Sequence, residues 1–154
     1  MEDPPLSSFR RGHIGRAMFR ALAAFQSRFA DEIRARGFED FRHADVEIIA
    51  RLPVEGGARI TEIAERSPIS KQAVGKLVKG LEARGYVTRR PDPEDGRASR
   101  IVLTDRGVAF LRAGMEVVSQ IESDWSAHLG GSNFTRLRRG LLNLSDTFGD
   151  AETL

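Results

Sequence analysis

The chain contains no cysteine. That excludes disulfides, zinc–thiolate sites and redox sensing through a thiol. Tryptophan and tyrosine are nearly absent, with one residue of each. Long apolar runs are also missing, and none approaches the roughly 20 residues that a membrane-spanning helix needs. The N-terminus reads MEDPPLSSFRRGH, with acid and proline where a signal peptide carries a basic and then an apolar region. Together these absences predict a cytoplasmic protein with no membrane partner. There is no glycine-rich phosphate loop, no metal-spaced cluster of histidines or carboxylates, and no serine nucleophile motif. The three histidines, at positions 13, 43 and 128, stand far apart in sequence. The expectation is a protein that is not an enzyme and uses no metal and no cofactor.

What is present points to a small globular protein with one charged face. The 154 residues are 40% hydrophobic and 30% charged, enough for a single domain or a small head fused to an oligomerisation element. The net charge is only +2, but it is unevenly spread. Between Arg66 and Arg106 there are ten basic and five acidic residues, so that window carries about +5 and the rest of the chain about −3. A positive segment in a near-neutral protein suits a polyanion, although a solvated charged surface gives the same count.

Hydrophobic spacing predicts a mainly α protein with a small β-hairpin, organised as one domain over 1–154. Residues 1–8 read as a loose arm and 150–154 as a loose tail. Ile14, Met18, Leu22, Phe25, Phe29 and Ile33 recur at spacings of three and four, which predicts a helix over 10–36 that stops at Gly37. A second helix is expected from Arg42 to Leu52, ended by Pro53 and Gly56-Gly57. Ala58 to Ile60 reads as a brief strand, and Thr61 as the N-cap of a short helix to Arg66. After the Ser67-Pro68-Ile69 turn, Ser70 caps a helix that runs to Arg84 and stops at Gly85. Tyr86 to Arg90 and Ser99 to Leu103 read as strands joined by the turn-rich PDPEDGRA loop. Thr104 then caps a long helix over 104–129, with Val108, Leu111, Met115, Val118, Trp125 and Leu129 as its apolar face and Glu122 as the interruption. A last helix over 132–149 carries Phe134, Leu137, Leu141, Leu144 and Phe148 at coiled-coil spacing.

Short helix, turn, longer helix and hairpin follow one another as in a winged helix-turn-helix, here over 42–104. On a helical wheel the Ser70–Arg84 segment divides cleanly. Ala73, Val74, Leu77, Val78 and Leu81 fall on one side; Lys71, Gln72, Gly75, Lys76 and Lys79 fall on the other. All three lysines of the chain lie on that second side, whereas the other 21 basic residues are arginines. A solvated amphipathic helix fits the same wheel. The functional reading is base readout, in which the ammonium groups reach guanine or phosphate and Gln72 bonds adenine. Ser70 and Thr61, at helix N-termini, are candidate phosphate contacts. Arg90 on the first strand and Arg97 at the hairpin tip are further DNA candidates, since an arginine on a protruding loop suits a narrow minor groove. Asp95 is expected to orient Arg97 or Arg100 by ion pairing.

At residues 59–107, RITEIAERSPISKQAVGKLVKGLEARGYVTRRPDPEDGRASRIVLTDRG resembles the central region of MarR regulators. The resemblance is carried by Leu81-Glu82-Ala83-Arg84-Gly85, by Asp95-Gly96-Arg97, and by Leu103-Thr104 with Gly107. It covers about a third of the chain; the flanking helices match in number and length only. It implies a winged helix-turn-helix in which the Ser70 helix recognises DNA and Arg97 enters the minor groove. It also implies transcriptional repression, relieved by an anionic or phenolic small molecule bound near the junction of head and dimer.

Two further expectations come from the residues. The helices over 10–36 and 132–149 carry apolar stripes with little to bury them in one small subunit, so a homodimer is expected, with an intramolecular bundle as the alternative. His13, Arg16, His43 and Trp125 are candidates to line an effector pocket between the first, second and fifth helices, although such residues more often serve packing or surface. The competing functional readings are a winged-helix module that binds protein or RNA, and an architectural DNA-binding protein without an effector.

Overall fold

The computed structural model describes residues 13–148. The expected arm at 1–8, the tail at 150–154 and the helix start at Arg10 lie outside the described residues. Among the described residues the order is α1 (Ile14–Ala35), α2 (His43–Ile49), α3 (Ile60–Glu65), α4 (Lys71–Ala83), β1 (Val87–Pro91), β2 (Ser99–Leu103), α5 (Asp105–Leu129) and α6 (Gly131–Phe148). This is the mainly helical winged helix-turn-helix architecture expected from the sequence.

Local chemistry explains most of the boundaries. His13 accepts the Arg16 N–H on Nδ1 at 3.2 Å and so caps α1. Asp45 caps α2 by accepting the Arg42 N–H at 2.9 Å. The α2 helix is shorter than its apolar pattern suggests. Residues 50–52 tighten into three-residue turns, Arg51 N–H to Ile48 and Leu52 N–H to Ile49, because Pro53 disfavours helical backbone in the residue before it. Ser70 accepts the Ala73 N–H at 3.3 Å and opens α4. Thr104 accepts the Gly107 N–H at 3.2 Å and opens α5.

Three local expectations need correction. Thr61 is not a cap. Arg59 holds that position, and its N–H is taken by the Glu62 carboxylate at 3.0 Å, so α3 already includes Ile60 and Thr61. The brief strand over Ala58–Ile60 reduces to one antiparallel bridge between Ala58 and Ile101. Gly57 beside it has φ +61°, and a Cβ there would lie 2.2 Å from the Ile101 carbonyl oxygen, so the close approach that forms the bridge requires glycine. Finally, β1 begins at Val87; Tyr86 is buried below the hairpin instead of paired within it. The register pairs Val87 with Leu103 and Pro91 with Ser99, which puts the proline at the strand end, where a missing N–H costs least.

The core joins the inner faces of α1, α2, α4, the hairpin and α5. Five aromatic rings meet at its centre, with Phe38 edge-on to Phe110 at 5.4 Å and Phe41 stacked on Phe110 at 5.5 Å. The buried stripe of α5 is Phe110, Ala113, Val117 and Ile121. The stripe expected from spacing (Val108 through Leu129) is the neighbouring face. It is only partly buried, and Met115 within it is 73% exposed. The 25-residue α5 therefore has two apolar faces, and one wheel cannot say which of them the subunit's own core takes. The stripe of α1 is also divided. Phe29 and Ile33 are buried, whereas Ile14 (73%), Met18 (45%) and Leu22 (53%) are exposed. No helix of the described residues is long and apolar enough to cross a membrane.

Candidate functional site

Recognition-type geometry begins with the division of α4. Val74, Val78 and Leu81 are completely buried, and their contacts with α2 and α3 hold the helix against the head. The opposite face carries Lys71, Gln72, Lys76 and Lys79, all exposed. Among the described residues none of the three lysines enters an ion pair within the subunit. Ser70 stands exposed at the N-terminus of the same helix, with its oxygen engaged by the Ala73 N–H. Thr61 is exposed in the first turn of α3.

The hairpin projects beside this face. Arg97 is exposed at its tip, and its backbone N–H donates to Asp95 Oδ1 at 3.0 Å. Asp95 thus shapes the turn and does not hold either arginine by an ion pair. Arg100 is held instead by Asp92, to which the sequence assigned no role. The Asp92 carboxylate is buried and accepts from Arg59 Nε at 2.7 Å, Arg100 Nη1 at 3.4 Å, and the backbone N–H groups of Glu94 and Asp95 at 2.9 and 3.3 Å. The Arg59 hydrogen bond, helped by these backbone donors, holds the carboxyl well below the usual carboxylate range. Arg100 also donates to the carbonyls of Gly56 and Gly57, each at 2.9 Å. It therefore staples the hairpin base to the loop before α3 and is unavailable to a ligand. Arg90, across from Arg100 in the register, remains exposed. The sequence signal for Asp92 was weak: it sits 33 residues from Arg59, and no helical or strand period links them.

A second network fastens α2 to the end of α4. Asp45 is buried and takes both arms of the Arg84 guanidinium, at 2.6 and 2.7 Å. Arg84 also donates to the Asp40 carbonyl at 2.9 Å. The Tyr86 phenol donates to Asp40 Oδ1 at 2.6 Å, and the Arg106 guanidinium lies 4.6 Å over its ring. Burial, reinforced by the Asp40 hydrogen bond, pushes the phenol up to about 12.

Behind the head, a cavity of about 660 Å³ opens between α1, α2 and α5, with Arg138 of α6 at its edge. Its walls include Phe25, Phe29, Val46, Ile49, Leu111 and Met115. Of the four residues expected to line a pocket here, only His43 does so. His13 caps α1, Arg16 lies exposed one turn further on, and Trp125 stands edge-on to Phe25 at 6.0 Å without reaching the cavity. The pocket residues that sequence reading missed, Leu111, Met115 and Val118, are those it had assigned to the buried face of α5. Among the described residues no group of three or more histidines and carboxylates is placed to hold a metal ion.

Comparison with known proteins agrees with this architecture. Residues 47–98 match the family model described as MarR family. The chain is 36% identical over 88 residues to the HTH-type transcriptional repressor YetL of Bacillus subtilis, covering 50% of this chain and 53% of that protein. The matched stretches span roughly half to 70% of the curated relatives' own lengths. Among solved structures, it superposes on the transcriptional repressor CouR, bound to a 23-mer DNA duplex, with TM-score 0.73 and 23% identity, over 94% of this chain and 99% of that one. It also superposes on the PcaV regulator of Streptomyces coelicolor, in complex with its natural ligand, with TM-score 0.69 and 21% identity, over 99% and 100%. At those identities the likeness to the solved structures is one of fold. With a divided recognition-type helix, an anchored hairpin and a family match over residues 47–98, the head of this chain is similar to the MarR family of winged helix-turn-helix proteins.

Proposed function

We propose that the chain is a sequence-specific, double-stranded DNA-binding transcriptional regulator, acting as a homodimeric repressor that a small molecule releases from its operator. The observation that carries this reading is the outer face of α4, where three lysines and Gln72 stand exposed, the lysines with no ion pair among the described residues, while Val74, Val78 and Leu81 on the opposite face are fully buried. Lys71, Gln72 and Lys76 are assigned base contacts; Lys79, Arg90, Ser70 and Thr61 backbone contacts; and Arg97 the minor groove. YetL is named a repressor, CouR is seen on a duplex, and PcaV holds a natural ligand; each supports the corresponding part of the reading. A winged-helix module for protein recognition would carry aromatic or methionine anchors on this face, and this one has neither.

The dimer reading rests on the apolar surface left over. Ile14, Met18, Phe19 and Leu22 of α1 and Leu137, Leu141, Leu142 and Leu144 of α6 are all exposed. Covering each stripe with the other from a second copy buries both. Two heads would then face successive major grooves, roughly 34–36 Å apart.

Release by a small molecule is supported by the position of α2. It forms one wall of the cavity, and its Asp45 holds Arg84 at the end of α4. Its neighbour Arg51 donates to the Arg66 carbonyl at the end of α3, at 2.7 Å. A shift of α2 on ligand entry would therefore reach both helices of the reading head.

The test is selection of bound sites from a random duplex library at physiological salt, followed by a salt series on the selected site. An enriched inverted repeat with half-sites one turn apart supports dimeric major-groove readout. Binding that is steeply salt-dependent but has no enriched motif would replace this reading with an architectural one.

A further inference from the structure

The charges around the cavity narrow the ligand beyond the reading above, on which this inference rests. Its body is apolar and aromatic, with Phe25 and Phe29 stacked at 6.1 Å along α1 and Phe110 below. Its size suits a drug-sized molecule. Two carboxylates enter from facing helices, Glu47 from α2 and Glu122 from α5.

The cations that offset these carboxylates stand outside or at the edge. Arg51 pairs with Glu47 at 2.5 Å but does not line the cavity, and it is drawn away by hydrogen bonds to the Glu47 and Arg66 carbonyls. The paired Glu47 oxygen is closed to solvent, yet no donor meets it with hydrogen-bond geometry. Arg138 approaches Glu122 only to 3.8 Å, and its side chain is 60% exposed. His43 is the remaining basic group on the wall, and its ring lies edge-on to Phe41 at 5.4 Å.

An anionic ligand would thus meet two carboxylates, with one arginine, already partnered and at the rim, to receive it. A protonated amine on a flat apolar body would meet carboxylate oxygens and aromatic faces, both of which attract cations. We infer that this cavity selects a cationic aromatic amine, and not the anionic or phenolic ligand that family resemblance implies. The geometry makes Glu122 and Glu47 its specificity residues.

The test compares three probes on the full chain by titration calorimetry at mildly alkaline pH: proflavine, a cationic aminoacridine; acridine, its neutral parent; and salicylate, an anion. Proflavine should bind at least tenfold more tightly than acridine, and salicylate should not bind. In Glu122→Gln combined with Glu47→Gln the proflavine preference should fall towards one. If the pair fails to fold, Glu122→Gln alone carries the test, because that side chain is partly exposed and its only ion pair among the described residues is the long one to Arg138. Salicylate binding as tightly as proflavine, equal affinity for proflavine and acridine, or a preference unchanged by the variants each overturns the inference. Binding of none of the three also overturns it and removes the cavity as effector site. The DNA-binding reading stands or falls separately, on site selection without ligand.

Discussion

At the scale of single residues, the hairpin shows how charge is divided between scaffold and ligand. Asp92 and Glu62 together offset Arg59 and Arg100 at its base, leaving Arg97 at the tip without an ion pair among the described residues. Arg97→Ala should therefore cost DNA affinity, by about tenfold for one lost groove contact, and lower the salt slope by roughly one. Fluorescence anisotropy across a salt series measures both, and unchanged affinity would remove Arg97 from the interface. Tyr86 gives a pH prediction. Its phenol titrates at about 12 in the folded chain against about 10 when unfolded. The folded state favours the protonated form, so that stabilisation is fully present below pH ~10 and is lost as pH rises towards ~12. Thermal melts should show an alkaline loss of stability in this range that Tyr86→Phe diminishes. Asp92 has the opposite sign. Its depressed carboxyl stabilises the fold above the unfolded value of about 4 and loses that contribution only as pH falls through its lower folded value. The hairpin base is thus insensitive to pH across the neutral range.

At the scale of elements, α4 was the most legible part of the chain. Its two faces differ so sharply in chemistry that a wheel separates them, and the structure buries the expected side. Replacing Gln72 with alanine should relax base preference at one operator position by about 1–3 kcal/mol while leaving nonspecific affinity nearly unchanged. Repeating site selection with the variant checks this; an unaltered motif would refute base readout by Gln72. The junction between hairpin and α5 was legible only as a motif. Gly107 stands where a Cβ would lie 2.2 Å from the Tyr86 carbonyl oxygen, so the backbone of α5 touches the start of the hairpin directly. Gly107→Ala should destabilise the fold by roughly 1–3 kcal/mol, the usual cost of forcing extra volume into a packed site, read as a lower melting temperature. Sequence erred on α5 itself. Its apolar residues cover more than one face, and spacing alone cannot rank Phe110–Val117–Ile121 above Leu111–Met115–Val118. The ranking depends on what lies opposite, here the rings of Phe38 and Phe41.

For the whole molecule, the arrangement separates a self-sufficient head from helices that lack cover. Among the described residues neither α6 nor the first half of α1 has a buried side chain. Truncation after Gly131 should give a folded monomer with weak DNA binding, since one head makes half the contacts. Light scattering measures this directly, and a dimeric product would show that the interface lies elsewhere.

The sequence by itself determined the helices and the hairpin, their order and the face of α4 turned outward. Those features follow from periodicity, caps and glycine stops, which act within a few residues. Tertiary structure alone decided which face of α5 is core, that Asp92 and not Asp95 anchors the hairpin, and that Glu47, Glu122 and His43 share a cavity from which His13, Arg16 and Trp125 are absent. These depend on side chains tens of residues apart meeting across packed helices, and no local period records such a meeting.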